Sequence, residues 1–296
     1  MPANDLLREG QPDRRDVSRV VALYRYPVKS MQGEQVERAN VTDRGVDGDR
    51  AFALVDVATQ QIASSHHPDK WGQLLQCRAR WHSGSVAVTL PDGTTVTTDS
   101  TGEEKLSEFC GRQVRFIRDA PQDARYELVV ADVPDSWPAG ALAQLLGDTA
   151  PAAGRVAKLG VGLAAPAGSL VDLAPVHVLT AASLAALAAV GGDTDVRRFR
   201  PNIVVDTGAG AGFTESDWTG RTLRIGSVEL SVTMPTMRCL VPTLAQYGLD
   251  RHRDTLVALA KHNRVQFASE RWACLGSYAS VTTGGTVTVG DDLKLA

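Results

Sequence analysis

Long apolar runs are missing from this 296-residue chain: no stretch of about 18 uninterrupted hydrophobic residues occurs, so no membrane-spanning helix is expected. Cysteine is scarce. Cys77, Cys110, Cys239 and Cys274 lie far apart and never form a CxxC pair, which argues against a zinc ribbon or a disulfide scaffold and fits a reducing cytoplasm. Basic charge is not in surplus either. With 31 Lys and Arg against 34 Asp and Glu, the formal net charge of −3 leaves nothing to neutralise a nucleic-acid backbone. Residues 1–16 lack the apolar centre of a secretory signal and read as a polar tail.

Common catalytic signatures are absent as well. There is no G-x-S-x-G elbow, Walker loop or HExxH pair. Gly208, Gly210 and Gly212 run as G-x-G-x-G into FTESDW, so the dinucleotide fingerprint fails and a flexible loop is expected. The six histidines show no metal-ligand spacing, and His66–His67 in SSHHPDKW reads as a solvated turn.

What is present is strand-like. Hydrophobic residues at 43% and charged residues at 22% describe an ordinary globular protein, and the length suits one large domain or two modest ones. SVAVTLPDGTTVTT is a hairpin pattern around Pro91, Asp92 and Gly93, and GEEKLSEFCG reads as a helix stopped by Gly111. PVHVLTAASLAALAAVGG predicts a strand entering a helix capped by Thr180. DRHRDTLVALAKHN predicts another helix, AGALAQLLGD a further one, and ASVTTGGTVTVGDDLKLA a hairpin around Gly284–Gly285. The expected class is α+β, predominantly β: a barrel-like core, a β-rich N-terminal module and a few short helices. Expected boundaries are a tail at 1–16, a β-rich module at 17–135, an Ala/Gly/Pro-rich connection at 136–168 and a second domain at 169–296.

Four cations stand out in strand-like, turn-flanked settings: Lys29 in YPVKSMQG, Arg50 in GDRAFALVD, Arg200 in RFRPNIVVD and Arg238 in MPTMRCLVPT. Any one alone reads as a side chain snorkelling to solvent. Cys239 adjoins Arg238 at the end of an alternating strand, and a thiol beside a fixed cation has a reason to ionise into a nucleophile or soft-metal ligand. The other three cysteines read as buried and inert.

Taken in order, YPVKSMQG, GDRAFALVD, RFRPNIVV, the F-x-E-x-x-W loop, IGSVEL, MPTMRCLVPT and GTVTVGD resemble the MOSC family of molybdenum-cofactor proteins. That family includes the molybdenum cofactor sulfurase C-terminal domain and the amidoxime-reducing component, and the resemblance runs from about Val17 to the end. It implies an N-terminal β-barrel module, a MOSC domain, and a molybdenum–molybdopterin cofactor whose metal is ligated by Cys239. It further implies cofactor contacts from Lys29, Ser30, Arg50, Arg200, Asn202, Arg238 and Tyr278. Leu173 and Ala174 replace the hydroxyl residues of the amidoxime-reducing proteins before the proline of DLAPVHVLT, leaving backbone or Asp172 for contacts there; Asp172 and His177 are assigned no role.

The implied activity is two-electron reduction of N-hydroxylated or N-oxide substrates by a cytoplasmic molybdenum oxidoreductase, with Cys239 tuning the metal. No flavin or pyridoxal phosphate is implied. Neither the membrane anchor of mitochondrial members nor the ferredoxin domain of some bacterial ones has a counterpart, so a separate electron donor is expected, a flavoprotein reductase with a ferredoxin or cytochrome. The expected partners are that donor and a small-molecule substrate, without nucleic acid or membrane. Two other readings stay open: a carrier of the cofactor or handler of sulfur without turnover, and a fold recruited to a specialised metabolic reaction without molybdenum.

Overall fold

The computed structural model describes residues 18–82, 84–133, 135–136, 156–208 and 211–296. The expected polar tail and the helix anticipated at AGALAQLLGD fall outside the described residues.

Local chemistry sets the helices. Asp99 accepts the Gly102 N–H at 2.8 Å, starting helix Ser100–Cys110, and Gly111 ends it with φ 64°. Thr180 accepts the Ser183 N–H at 3.0 Å, so strand Val176–Thr180 passes directly into helix Ala181–Ala189. That strand is buried at all five positions, the signature of a central strand covered on both faces.

It sits inside a nine-stranded sheet. The order is Leu293–Leu295, Thr222–Ile225, Val228–Met237, Glu270–Thr283, Val176–Thr180, Ile203–Asp206, Arg19–Arg25 and Glu34–Val36, with Arg264–Phe267 paired beside Glu270–Thr283. Only Val176–Thr180 and Ile203–Asp206 run parallel within it, linked through helix Ala181–Ala189. The sheet curls until Leu293 N–H reaches Ser18 O at 2.7 Å and Arg19 bridges Asp292. No continuous ladder closes it, so the fold is strand-rich and barrel-like without being a sealed barrel.

One core lies within this curl, where Val20 and Leu23 pack with Val178, Ile203, Leu223, Leu230 and Leu293. A second core, including Val28, Leu54, Leu74, Val88 and Leu106, is built wholly from residues 28–114. The SVAVTLPDGTTVTT hairpin is present as Ser85–Thr89 paired with Thr95–Thr97.

Two expectations need correction. The segment after Gly284 does not fold back as a hairpin: Gly285–Thr288 pairs with Arg38–Thr42 in a different sheet. A Cβ on Gly284 would stand 2.8 Å from Val41 O, so the glycine permits a close backbone approach that redirects the chain. The stretch 136–168 is not solely a connection, because Val156–Gly160 forms a strand with Arg125–Val129.

Strand Arg19–Arg25 comes from the start of the described chain yet closes the core of the C-terminal strands, so one packing defect there should weaken the whole. Leu23→Ala, at a position 1% exposed, is expected to cost about 2–5 kcal/mol. Urea unfolding followed by tryptophan fluorescence measures this, and a loss well under that range would show the strand to be peripheral.

Candidate functional site

Segments distant in sequence meet around a partly open cavity of about 80 Å³. Its walls carry Lys29, Ser30, Arg50, Ser65, His66, Asp172, His177, Arg198, Arg200, Arg238, Cys239 and Tyr278, with Phe199, Met237, Val241 and Pro242 as apolar lining.

The cationic side is built by turns held against strands. Lys29 N–H bonds Phe52 O at 2.8 Å, fixing the YPVKS segment beside residue 52. Burial lowers the Lys29 pKa, while its ammonium donates to Leu170 O at 3.1 Å and to the Asp172 carboxylate. Burial alone would raise the Asp172 pKa, but Lys29, then His66, override it and hold the carboxyl well below its usual range. Arg50 pairs with Asp49 at 2.6 Å, and Asp49 also accepts the Tyr26 N–H at 2.7 Å. Arg200 donates to Met31 O at 2.5 Å.

The Arg50 and Arg200 guanidinium groups stand 4.6 and 4.5 Å from the Tyr26 ring centre, a cation–π arrangement for both. Among the described residues Arg200 has no carboxylate partner. Burial, then the field of Arg50, lower its pKa to about 10. Arg200 stays protonated at neutral pH, and an anion in the cavity would relieve both penalties.

Backbone strain is concentrated here too. Six described residues other than glycine have positive φ, and three of them line this cavity: Ser30 at 66°, Arg50 at 43° and Arg200 at 57°. Each such residue costs of order 1–3 kcal/mol and persists where surrounding structure holds it. Here Ser30 Oγ accepts the Ser65 N–H at 2.9 Å, and Arg50 N–H bonds Tyr26 O at 2.7 Å.

Cys239 follows the end of strand Val228–Met237 and precedes the 3-10 turn Val241–Thr243, whose first N–H points to its Sγ at 3.5 Å. Burial pushes the thiol up; His66, by charge and hydrogen bond, more than reverses this and the pKa falls below its ordinary value. Burial disfavours the His66 cation in turn, but Cys239 and then Asp172 raise its pKa overall. Ser64 Oγ lies 2.8 Å from His66 Nδ1 and helps to hold the ring. The expectation of a solvated His66–His67 turn is therefore overturned: His67 is only 8% exposed, and His66 is half-buried with its ring against Tyr126. Residues Pro68–Trp71 form a short helix under them.

Of the residues singled out in the sequence, Lys29, Ser30, Arg50, Arg200, Arg238, Cys239 and Tyr278 all line the cavity. Asn202 does not. Its amide oxygen accepts the His177 N–H at 3.1 Å and its Nδ2 reaches Tyr24 O at 3.5 Å, so it splices strand Val176–Thr180 to Arg19–Arg25. Arg238 spends its guanidinium on the protein, donating to Phe199 O at 3.1 Å and to Leu275 O, with Nη2 2.7 Å from His177 Nε2. Burial, then Arg238, keep His177 neutral at pH 7. Gly276 makes room for this contact: a Cβ there would lie 2.1 Å from His177 Nε2, and its φ is 85°.

Three contributors escaped the sequence reading. Asp49 lay in the quoted GDRAFALVD motif beside Arg50 and His66 in the quoted SSHHPDKW, yet neither was singled out as a site residue. Arg198 lay in the quoted RFRPNIVVD motif yet was not singled out; it donates to Leu244 O at 3.1 Å and Asp250 O at 2.7 Å, stapling the loop that follows Cys239.

Of the cations lining the cavity, Lys29 is paired with Asp172, Arg50 with Asp49 and Arg198 with Asp193, while Arg200 has no carboxylate partner among the described residues, so an anion in the cavity would find its charge there. A soft sulfur sits among them. No three His, Cys, Asp or Glu among the described residues could hold a metal on their own. A metal at Cys239 therefore needs further donors from an anionic ligand, which suits a cofactor carrying its own sulfur donors and a phosphate.

Thiol chemistry should sort the cysteines. Burial raises Cys77, Cys110 and Cys274 to about 12, whereas Cys239 is lowered. Iodoacetamide near neutral pH is expected to label Cys239 first, read by peptide mass spectrometry. His66→Gln removes the cation that lowers the pKa and leaves the burial, so the pH midpoint for labelling should move upward. An unmoved midpoint would remove His66 as the thiolate's partner.

The N-terminal part of the chain, residues 17–125, matches the MOSC N-terminal beta barrel domain, and residues 167–294 match the MOSC domain. The chain is 25% identical over 302 residues to mitochondrial amidoxime-reducing component 1 of Mus musculus, covering 97% of this chain and 86% of the relative. Among solved structures, the YUAD protein from Bacillus subtilis superposes with a TM-score of 0.44 at 11% identity, covering 94% of this chain and 95% of that one. A second solved structure, of a hypothetical protein, gives a TM-score of 0.30 at 18% identity over 41% of this chain and 51% of its own. With both domain models matched in order along its length, the chain is a member of the MOSC-domain family.

Proposed function

We propose that the Cys239 cavity binds a molybdenum–molybdopterin cofactor and that the protein uses it to reduce N-hydroxylated or N-oxide substrates. The observation that carries this reading is the ionisable thiol of Cys239 in the same cavity as Arg200, whose charge no carboxylate among the described residues pairs. Resemblance to an amidoxime-reducing component supports the substrate class, since an amidoxime is an N-hydroxylated group. When bound, the cofactor supplies two-electron oxygen-transfer chemistry.

The chain's own residues divide the remaining work. Cys239 is the protein ligand to the metal, and the His66 cation and the Val241 N–H stabilise its thiolate. Arg200 and Arg50 bind anionic groups, presented by backbone turns that only strained positive φ allows. Lys29 is positioned by Asp172, which stays ionised and so is no proton donor at neutral pH. Tyr278, raised to about 12 by burial, keeps its proton and lines the cavity as a neutral phenol. Arg238 and Asn202 act from behind, holding the walls in place. In this reading electrons arrive from a separate protein, a flavoprotein reductase with a ferredoxin or cytochrome.

Metal and pterin analysis of protein from a cofactor-competent host, with reduced viologen and an N-hydroxylated substrate, tests the reading. Molybdenum near one per chain with turnover is expected; metal-free protein from such a host would contradict it. The loaded chain alone should not oxidise NAD(P)H, and rapid NADH oxidation by it would refute the separate donor.

Two arginines should separate binding from folding. Arg200→Gly removes an anion contact while freeing a strained backbone, so bound molybdenum should fall sharply with the melting temperature little changed. Arg238→Ala leaves buried carbonyls unpaired, at about 1–3 kcal/mol each, and should lower the melting temperature by several degrees. The reverse pattern would exchange the two assignments.

A further inference from the structure

A second concavity, a groove of about 870 Å³, lies on the surface side of Tyr26. Its volume falls in the range of small-ligand sites. Its walls are aromatic and basic. Tyr24 and Tyr26 stack with ring centres 6.4 Å apart, and Tyr247, 37% exposed, faces the Arg78 guanidinium at 4.9 Å.

The charges in the groove do not cancel. Glu34 is taken by Arg25 at 2.8 Å, and Asp195 by Arg197 at 2.6 Å. Among the described residues, Arg78 and Arg80 pair with no carboxylate, so the groove keeps two cations for a ligand. Two of its residues also carry buried polar atoms without a partner, the Tyr26 hydroxyl and the Gln32 amide oxygen.

We propose that this groove binds a nucleoside phosphate. The ring of Tyr24, and that of Tyr247 with the Arg78 guanidinium against it, suit a planar heterocyclic base. Arg78 and Arg80 suit the phosphate. A simple anion would leave the aromatic faces unused, and an uncharged ring would leave the two arginines unpaired. The ligand is either a soluble nucleotide or a nucleotide attached to a larger molecule. The soluble form requires nothing of the molybdenum reading; the attached form rests on it.

Isothermal titration of the full chain with AMP, GMP, CMP and UMP, beside adenosine and inorganic phosphate, tests the proposal. At least one nucleotide should bind, with the nucleoside and phosphate each about tenfold or more weaker. Arg78→Gln with Arg80→Gln should weaken nucleotide binding by about tenfold or more, and Tyr247→Ala by a comparable factor, with circular dichroism unchanged. Molybdenum content should be unchanged in all three substitutions if the ligand is soluble. Extraction of the loaded protein separates the sources: nucleotide removed by gel filtration is a soluble ligand, and nucleotide released from the pterin only by acid hydrolysis is an attached one. No nucleotide binding at millimolar concentration together with no nucleotide in the extract would overturn the proposal. Binding that ignores both the arginine and the tyrosine substitutions would overturn it as well.

Discussion

The buried Arg238 guanidinium is the contact from which the site is assembled. A cation only 7% exposed must find acceptors for its N–H groups, and it finds them on segments that share no local sequence: Phe199 O, Leu275 O and His177 Nε2. Its own N–H bonds Ala273 O at 2.8 Å. Strand Glu270–Thr283, strand Val176–Thr180 and the turn at residues 198–200 are thereby drawn to one point, and Cys239 is the next residue along. Behind them Glu215, 1% exposed, accepts from Thr180 Oγ1 at 2.6 Å and from Gly276 N–H at 2.8 Å. Burial raises its pKa, yet these donors give the carboxylate a reason to remain, and they hold Gly276 where His177 needs space.

Around that fixed wall the protein collects more positive charge than it neutralises. Lys29 has Asp172 and Arg50 has Asp49, while Arg200 stands beside Arg50 with only a carbonyl and an aromatic face. Like charges held together in a dry place raise the free energy of the unliganded protein, and so do left-handed turns at non-glycine residues. Both penalties fall on the same few side chains. An anionic ligand relieves the first and uses the geometry bought by the second, which is the pattern of a preorganised binding site.

What the sequence revealed follows from how locally each feature is determined. Thr180 as a cap, the Pro91–Gly93 turn and the Gly111 stop act within four residues, and all three are present. Cys239 was marked by its neighbour Arg238, but the structure gives its thiolate a partner from far away, His66, while Arg238 turns to backbone carbonyls. Adjacency in sequence located the residue without identifying what acts on it. His66 itself was illegible because SSHHPDKW looks solvated until the fold buries it against Tyr126, ring centres 5.2 Å apart. The chain after Gly284 misled for a related reason: turn chemistry predicts that the chain bends, and only tertiary packing decides which strand it meets.

The central claim is that Cys239 supplies the protein's donor to a molybdenum centre, and X-ray absorption at the molybdenum edge of loaded protein tests it most directly. The account predicts that Cys239→Ser, in samples matched for metal content, loses one sulfur neighbour relative to the wild type, because a hard oxygen replaces a soft sulfur in a nearly isosteric side chain. An identical sulfur count in the two samples would remove Cys239 from the metal and contradict the account.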